Sequence, residues 1–489
     1  MEYINSLSSN IIEIDISNKN LSILPDLSRF IYLRKLNCSH NQLTQINNLP
    51  SSLLILDCSN NQLTRLDNLP RSLQILNCSC NQLIQLDNLP PLRILWCYIN
   101  QITQLDNLPS SLQKMDCSHN QLSQLDNLPS SLLELVCCNN ILTQLNNLPY
   151  SLQKLNCSWN YLTQLNNLPQ FLIELNCKNN QLTQLNSLPY SLQILYCAYN
   201  QIMQLDNLFS VKKIDCSHNQ IIQLNNLPST LEKLVCYNNQ ITRLDNLPYS
   251  LKVLNCSHNQ ITQLNNLPHS LQKLKCYDNQ LTQLNNLPPF LQKLICSDNL
   301  LTQLDNLPSF LQVLCCSYNQ ISHLDNLPCT LQKLYCSDNQ LTQLDKLPSL
   351  LKKLVCTGNK LTHLDRLPSL QILYCSYNQI TQLDNLPSSL YKLYCSDNQI
   401  TQLDNLPFSL QYLYHSNNKM ENNDLEYWKE RTKNKKLKLL KEKISARKIQ
   451  KIWRKYWYDI YKYELIDGEY IGFCRFIEKS YSIINENFV

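Results

Sequence analysis

The chain has 489 residues, 43% of them apolar and 16% charged, with a formal net charge of +5. That balance excludes an acidic, solvated disordered chain and leaves ample apolar content for an extended core. No run of 18 apolar residues occurs, so no membrane-spanning helix is expected, and 3 glycines cannot build a glycine-rich phosphate loop.

Residues 1–10 are polar and lack the apolar stretch of a secretion signal, so they read as an N-terminal cap on a soluble, unsecreted and cytoplasmic protein. From residue 11 to 418 a unit of the form L-x-x-L-x-C-S-x-N-Q-L-T-Q-L-D-N-L-P-S-S recurs, giving about 21 repeats of 19–22 residues. A 20-residue unit cannot bury an apolar face alone, so successive units must stack and share one core. Leu112, Met115, Cys117, Leu122, Leu125 and Leu128 form the inward set of one repeat. Alternation of Met115 and Cys117 about Asp116 has the period of a short strand, and equal registers in successive repeats predict parallel pairing. Asn120 falls where the chain must leave the strand, and stacked asparagines there can bond buried backbone of neighbouring turns. Gln121 to Ser131 is too short for a helix with two turns, so the convex side is expected to be extended. With so few glycines, the turns are expected to be made by Asn and Asp.

The motif L-x-x-L-x-C-x-x-N-x-L followed by L-x-N-L-P resembles the leucine-rich repeat family over about 85% of the chain. Its short unit is similar to those of bacterial effectors and of repeat proteins of large DNA viruses. The resemblance implies a curved solenoid with a parallel concave sheet, extended convex segments and a protein partner on the concave face. Alanine occurs only at Ala198 and Ala446, while Asn, Ile, Lys, Leu and Tyr abound. This points to an AT-rich genome of viral or protist origin, and to the host cytoplasm if viral.

Of the 24 cysteines, 19 occupy the third apolar position of the repeat, with Ile16 and His415 in the same phase at the two ends. They read as small buried hydrophobes. A straight row of thiols does not converge tetrahedrally, and no C-x-x-C pair occurs, so no metal or cofactor site is expected. Cys80, Cys138, Cys315, Cys329 and Cys474 lie off the row.

On the concave wall the variable positions flank the ladder cysteine. Three residues before it stand Lys213, Lys233, Lys273, Lys293, Lys333, Lys353 and Lys392, and two after it Asp278, Asp298, Asp338 and Asp397, a pattern expected to give a mixed charged stripe. Tyr335, Tyr374, Tyr394 and Tyr414 immediately precede the cysteine position and, with Tyr318 and Tyr377, make the C-terminal concave face aromatic. Rows of exposed tyrosine are enriched at protein interfaces, although duplication and drift alone could also scatter them there.

Residues 419–489 form a separate tail without proline and with helix formers up to about Tyr463. Lys429 to Lys455 holds 13 basic and 2 acidic residues, whereas Met1 to Met420 holds 26 of each. Within 446–460, Ile449, Gln450, Trp453 and Arg454 resemble the start of an IQ motif, which implies a calmodulin-like partner for a basic amphipathic helix. Lys455 and Asp459 depart from that motif in its second half. The rival reading is a helix that caps the last repeats, and nucleic acid or an anionic membrane ranks below both. Glu464 to Phe473, with Asp467-Gly468 at its centre, has the pattern of a small hairpin.

No catalytic constellation emerges. His40, His119, His218 and His258 echo one repeat phase beside serines but lack a third orienting group. The sequence therefore predicts a non-catalytic protein-binding array. A spacer array whose basic tail tethers calmodulin or membrane is the alternative.

Overall fold

In the computed structural model the described residues are 4, 6–185, 188–206, 208–383, 386–401, 403, 406, 407 and 409–420. The chain divides into two compact units, Met1–Leu251 and Lys252–Val489. Among the described residues the first holds twelve three-residue strands, from β1 (Glu13–Asp15) to β12 (Lys233–Val235), and the second nine, from β13 (Val253–Asn255) to β21 (Tyr412–Tyr414). Within each unit consecutive strands pair in parallel without a register slip. Glu134, Leu135 and Val136 face Lys154, Leu155 and Asn156, and Lys392, Leu393 and Tyr394 face Tyr412, Leu413 and Tyr414. Equal repeats impose this, because any slip would turn the central leucine of a strand out of the core. Among the described residues the segments between the strands contain no helix, as expected, and consist of turns, bends and irregular backbone.

One repeat shows why. Leu112, Met115, Cys117, Leu122 and Leu125 are at most 2% exposed. Leu128 differs from expectation: it is half-buried, and the adjoining Pro129 is buried. Proline is fixed in the extended region and bends the chain back, with Leu132 N–H donating to Pro129 O at 3.0 Å. Its ring thus fills space that the sequence pattern assigns to leucine.

Two side-chain ladders hold the backbone between strands. Asn120 Nδ2 donates to Cys97 O, Cys117 O and Ser118 O at 3.0–3.2 Å, and its Oδ1 accepts from Ile102 N at 3.0 Å. The same set recurs at Asn160, Asn200 and Asn299. The second ladder is the serine or threonine two residues after proline. Ser131 Oγ donates to Ser110 O and Leu112 O, and Thr330 Oγ1 to Ser309 O and Leu311 O. Buried polar backbone that no strand partner reaches is satisfied in this way.

The turn chemistry is broader than predicted. Each repeat has a left-handed residue two positions after the ladder cysteine, and this place is filled by Asn139 and Asp278 but also by His119, Ile99, Trp159, Tyr199 and Tyr318. A second left-handed residue precedes the Leu-Pro pair, usually asparagine, yet Lys346 and Arg366 occupy it too. The stacked backbone overrides the residue's own preference, a matter of about 1–2 kcal/mol. Trp159 N, for example, is held by Lys178 O at 2.8 Å. Gly358 takes one of these positions at φ 67°.

The helix, IQ-like segment and hairpin expected of the tail lie outside the described residues, as does Cys474.

Candidate functional site

The open face of the sheet is written by the first and third residues of each strand, since the second points into the core. In the first unit these positions carry seven carboxylates (Glu13, Asp15, Asp57, Asp116, Glu134, Glu174, Asp215) and five lysines (Lys35, Lys114, Lys154, Lys213, Lys233). Many of its polar groups have local work. Asp116 Oδ1 accepts from Ser118 N at 3.0 Å and Ser118 Oγ at 2.6 Å, and Asp57 and Asp215 repeat the arrangement with Ser59 and Ser217. At Asp15 the backbone and hydroxyl of Ser17 hold the carboxyl below its usual value. Glu134 spans Lys114 at 3.0 Å and Lys154 at 3.6 Å.

The second unit differs in kind. Its strand positions hold six lysines (Lys273, Lys275, Lys293, Lys333, Lys353, Lys392) and no carboxylate. The expected mixed stripe therefore separates into two rows on different elements. Lysine stands on the strands, while Asp278, Asp298, Asp338 and Asp397 stand at the left-handed turn that follows. The predicted site divides the same way. Lys333 and Tyr335 of β17 (Lys333–Tyr335), Lys353 of β18 (Lys353–Val355), Tyr374 of β19 (Ile372–Tyr374), Lys392 and Tyr394 of β20 (Lys392–Tyr394) and Tyr414 share the strand face. Tyr318, Tyr377, Asp338 and Asp397 belong to the turn row.

The strand row is not a set of isolated rings. Tyr374 and Tyr394 lie with centroids 4.3 Å apart, and Tyr394 stacks on Tyr414 at 4.3 Å and 17°. Stacking half-buries Tyr374 and Tyr394 and leaves Tyr414 50% exposed, so the row is less exposed than expected. Lys353 Nζ sits 4.9 Å from the Tyr335 ring and 5.7 Å from Tyr374, and Lys392 Nζ is 4.9 Å from Tyr412. These ammonium groups lie over electron-rich ring faces, which restricts their side chains. Tyr412 and Tyr391 join the cluster although only their neighbours were singled out in the sequence. Their signal was present, since Tyr412 is the first residue of its strand.

In the turn row, burial pushes the Tyr318 phenol up to about 12, with Asp338 and Asp298 adding to the effect. Tyr377 moves the same way, through burial and then Asp397. Asp397 Oδ1 accepts from Asn417 Nδ2 at 2.8 Å, and Asp278 Oδ2 lies 2.5 Å from His258 Nδ1.

On this face of the second unit lies a feature that the sequence did not announce. Tyr277, Ile295 and Cys315 are 6%, 0% and 1% exposed and pack with Val313 and Tyr335. Lys293 beside them is buried as well, contrary to an exposed lysine stripe. Cys315 is pushed up to about 12 by burial, against the pull of Lys293, Lys353, Lys275 and Lys333. A second missed feature is a flank of exposed rings in the first unit, with Tyr150, Phe171 and Tyr190 shortly after prolines and Phe209 directly after Leu208 in a repeat without one. Tyr150 meets Phe171 at 5.0 Å and Tyr190 stacks on Phe209 at 4.3 Å. Each stands in or beside the Ser-Ser pair that elsewhere makes the serine ladder, a substitution visible in the sequence.

The ladder cysteines are free and buried. Burial raises their thiols, to about 12 at Cys78, Cys177 and Cys356. Cys80 and Cys138 are partly exposed, and Cys329 is exposed.

Among solved structures the fold is similar to YopM of Yersinia enterocolitica WA-314, with 34% identity over 84% of this chain and 88% of that one and a TM-score of 0.66. The chain belongs to the leucine-rich repeat family. Family models for leucine-rich repeats match residues 250–274 (one repeat) and 368–408 (two copies). The solenoid is also similar in fold to the Arabidopsis receptor kinase HAESA in its complex with the peptide hormone IDA and the co-receptor SERK1. That likeness has 20% identity over 84% of this chain and 83% of that one, with a TM-score of 0.56. No curated protein matches the sequence. No helix among the described residues of this leucine-rich repeat protein is long and apolar enough to cross a membrane.

Proposed function

We propose that this leucine-rich repeat protein is a non-catalytic interaction module that holds a protein partner on the strand face of its second unit. The observation that carries the reading is the row Tyr374–Tyr394–Tyr414, rings in contact across three consecutive repeats, tilted at the first step and stacked at the second, beside Lys353 and Lys392. Tyrosines packed on one another supply rigid contact area at small entropic cost. Solenoid repeats present extended binding surfaces of this kind. The first unit's face is built differently, with Asp57, Asp116 and Asp215 bonding their own turns. The cellular setting that fits is cytoplasmic.

Replacing Tyr374, Tyr394 and Tyr414 together by alanine tests this. Loss of two ring contacts costs about 1–3 kcal/mol in all, a few degrees of unfolding temperature, so the variant stays folded while partner capture is abolished. The rival, in which the basic tail binds a calmodulin-like protein or an anionic membrane and the array is a spacer, predicts the reverse. An Ile449→Asp, Trp453→Ala double variant would then lose capture, and the tyrosine variant would keep it.

A further inference from the structure

We infer that the occupant of this face is an extended acidic peptide segment, bound along β17 to β21 by Lys333, Lys353 and Lys392 together with the tyrosine row. The inference rests on the proposed strand-face reading and adds the chemistry of the partner.

Charge complementarity is the first support. Nine consecutive strands contribute six lysines and no carboxylate to their face. At Lys333, Lys353 and Lys392 the surface is at least partly open. Lysine is a compact point charge with three donors, suited to a carboxylate approaching from several directions. The ring contacts of Lys353 and Lys392 remove side-chain freedom in advance, so less entropy is lost when a carboxylate arrives. The nearby carboxylates stand on a different element, the turn row, where Asp397 accepts from Asn417, and Asp298 and Asp338 lie about Tyr318.

Ring geometry decides against bases inserted between the tyrosines. A base stacks at ~3.4 Å from each neighbour, so insertion between two rings needs ~7 Å, whereas the tyrosine centroids are 4.3 Å apart at both steps. The row therefore offers ring edges and ammonium groups, which match carboxylates and peptide groups. Length sets the size of the segment. Five strands at ~4.8 Å spacing make ~19 Å, the span of about six extended residues.

The test must separate this face from the basic residues between Lys429 and Lys455. Full-length protein is incubated with acetylated hexaglutamate amide carrying one benzophenone, irradiated, and the adducts are mapped by mass spectrometry. Hexaglutamine amide and a 4-thiouridine-labelled hexauridylate serve as parallel probes. The inference expects hexaglutamate adducts on β17 to β21, about tenfold fewer in a Lys333→Gln, Lys353→Gln, Lys392→Gln variant, and unchanged numbers in Lys114→Gln, Lys154→Gln. Three outcomes overturn it: adducts confined to 429–455, strand adducts that survive the triple substitution, or stronger strand adducts with hexauridylate. If hexaglutamate fails while the tyrosine variant still abolishes partner capture, the acidic segment is wrong and the strand-face reading stands. If partner capture also survives the tyrosine variant, both fall.

Discussion

Asn120 shows how much one side chain contributes to this solenoid. Its amide donates to three carbonyls and accepts from one N–H, and it is only 9% exposed. Asn120→Asp replaces the donor with an acceptor that faces those carbonyls, so it should cost about 3–5 kcal/mol. Asn127→Asp, at an exposed turn, should stay within about 0.5 kcal/mol. Urea midpoints of the two variants compare them, and equal midpoints would contradict the ladder. The asparagine role was legible because the residue type and spacing match the chemistry of a turn. The left-handed Trp159 and Ile99 were not legible, since their conformation is imposed by backbone bonds to the next repeat rather than by their own preference.

Thiols give a second test at the same scale. Reagent should modify Cys329 first and Cys80 and Cys138 more slowly, while the ladder and Cys315 react only in denaturant. Native labelling of most ladder thiols would exclude the stacked core. Cys329 had no signal in the repeat phase beyond its place after a proline, where side chains point outward.

At the scale of the element, the inward face of the repeat is the decisive assignment. Leu125 is 2% exposed and Gln124 is exposed. Leu125→Asp should unfold its neighbourhood at a cost of about 3 kcal/mol or more, because it buries a charge with no partner, while Gln124→Asp should be nearly silent. Strand, ladder and extended segment were all legible from one repeat, because stacking makes each position answer to its counterparts 20 residues away. What one repeat does not reveal is the charge of a face, which depends on which residues fall on strands and which on turns. Lys333 and Asp338 are five residues apart in sequence but belong to different rows.

The stack also sets a pH limit. Burial raises the ladder thiols above the ordinary 9.0, to about 12 at Cys38, Cys78, Cys177 and Cys256. The folded chain thus keeps protons that the unfolded chain has already released. Their contribution to stability is complete below pH 9, declines as pH rises, and is gone once the folded thiols ionise, at about 12 for those four. Each thiol in that window removes up to about 1.4 kcal/mol per pH unit, so the sheet signal in circular dichroism should collapse steeply above pH 9. Valine at Cys137, Cys157 and Cys177 should make the loss shallower. An alkaline transition indifferent to that substitution would contradict this account.

At the scale of the whole molecule, two units built from one repeat carry different faces. The first combines seven strand carboxylates with five lysines and commits several to its own turns, whereas the second combines lysine with stacked tyrosine. The aromatic row was legible in the sequence as a repeat phase. Its mutual stacking and the cluster of Tyr277, Ile295 and Cys315 were not, because both depend on side chains one repeat apart meeting across strands. The central claim is that a partner sits on the second unit's strand face, and site-specific photocrosslinking tests it most directly. A photoreactive phenylalanine is placed at Tyr394 in one preparation and at Tyr249, which is 89% exposed, in another. Irradiation in cells should yield one dominant protein adduct from position 394 and none from position 249. An adduct of equal strength from 249, or none from 394 while the partner still co-purifies, would contradict the claim.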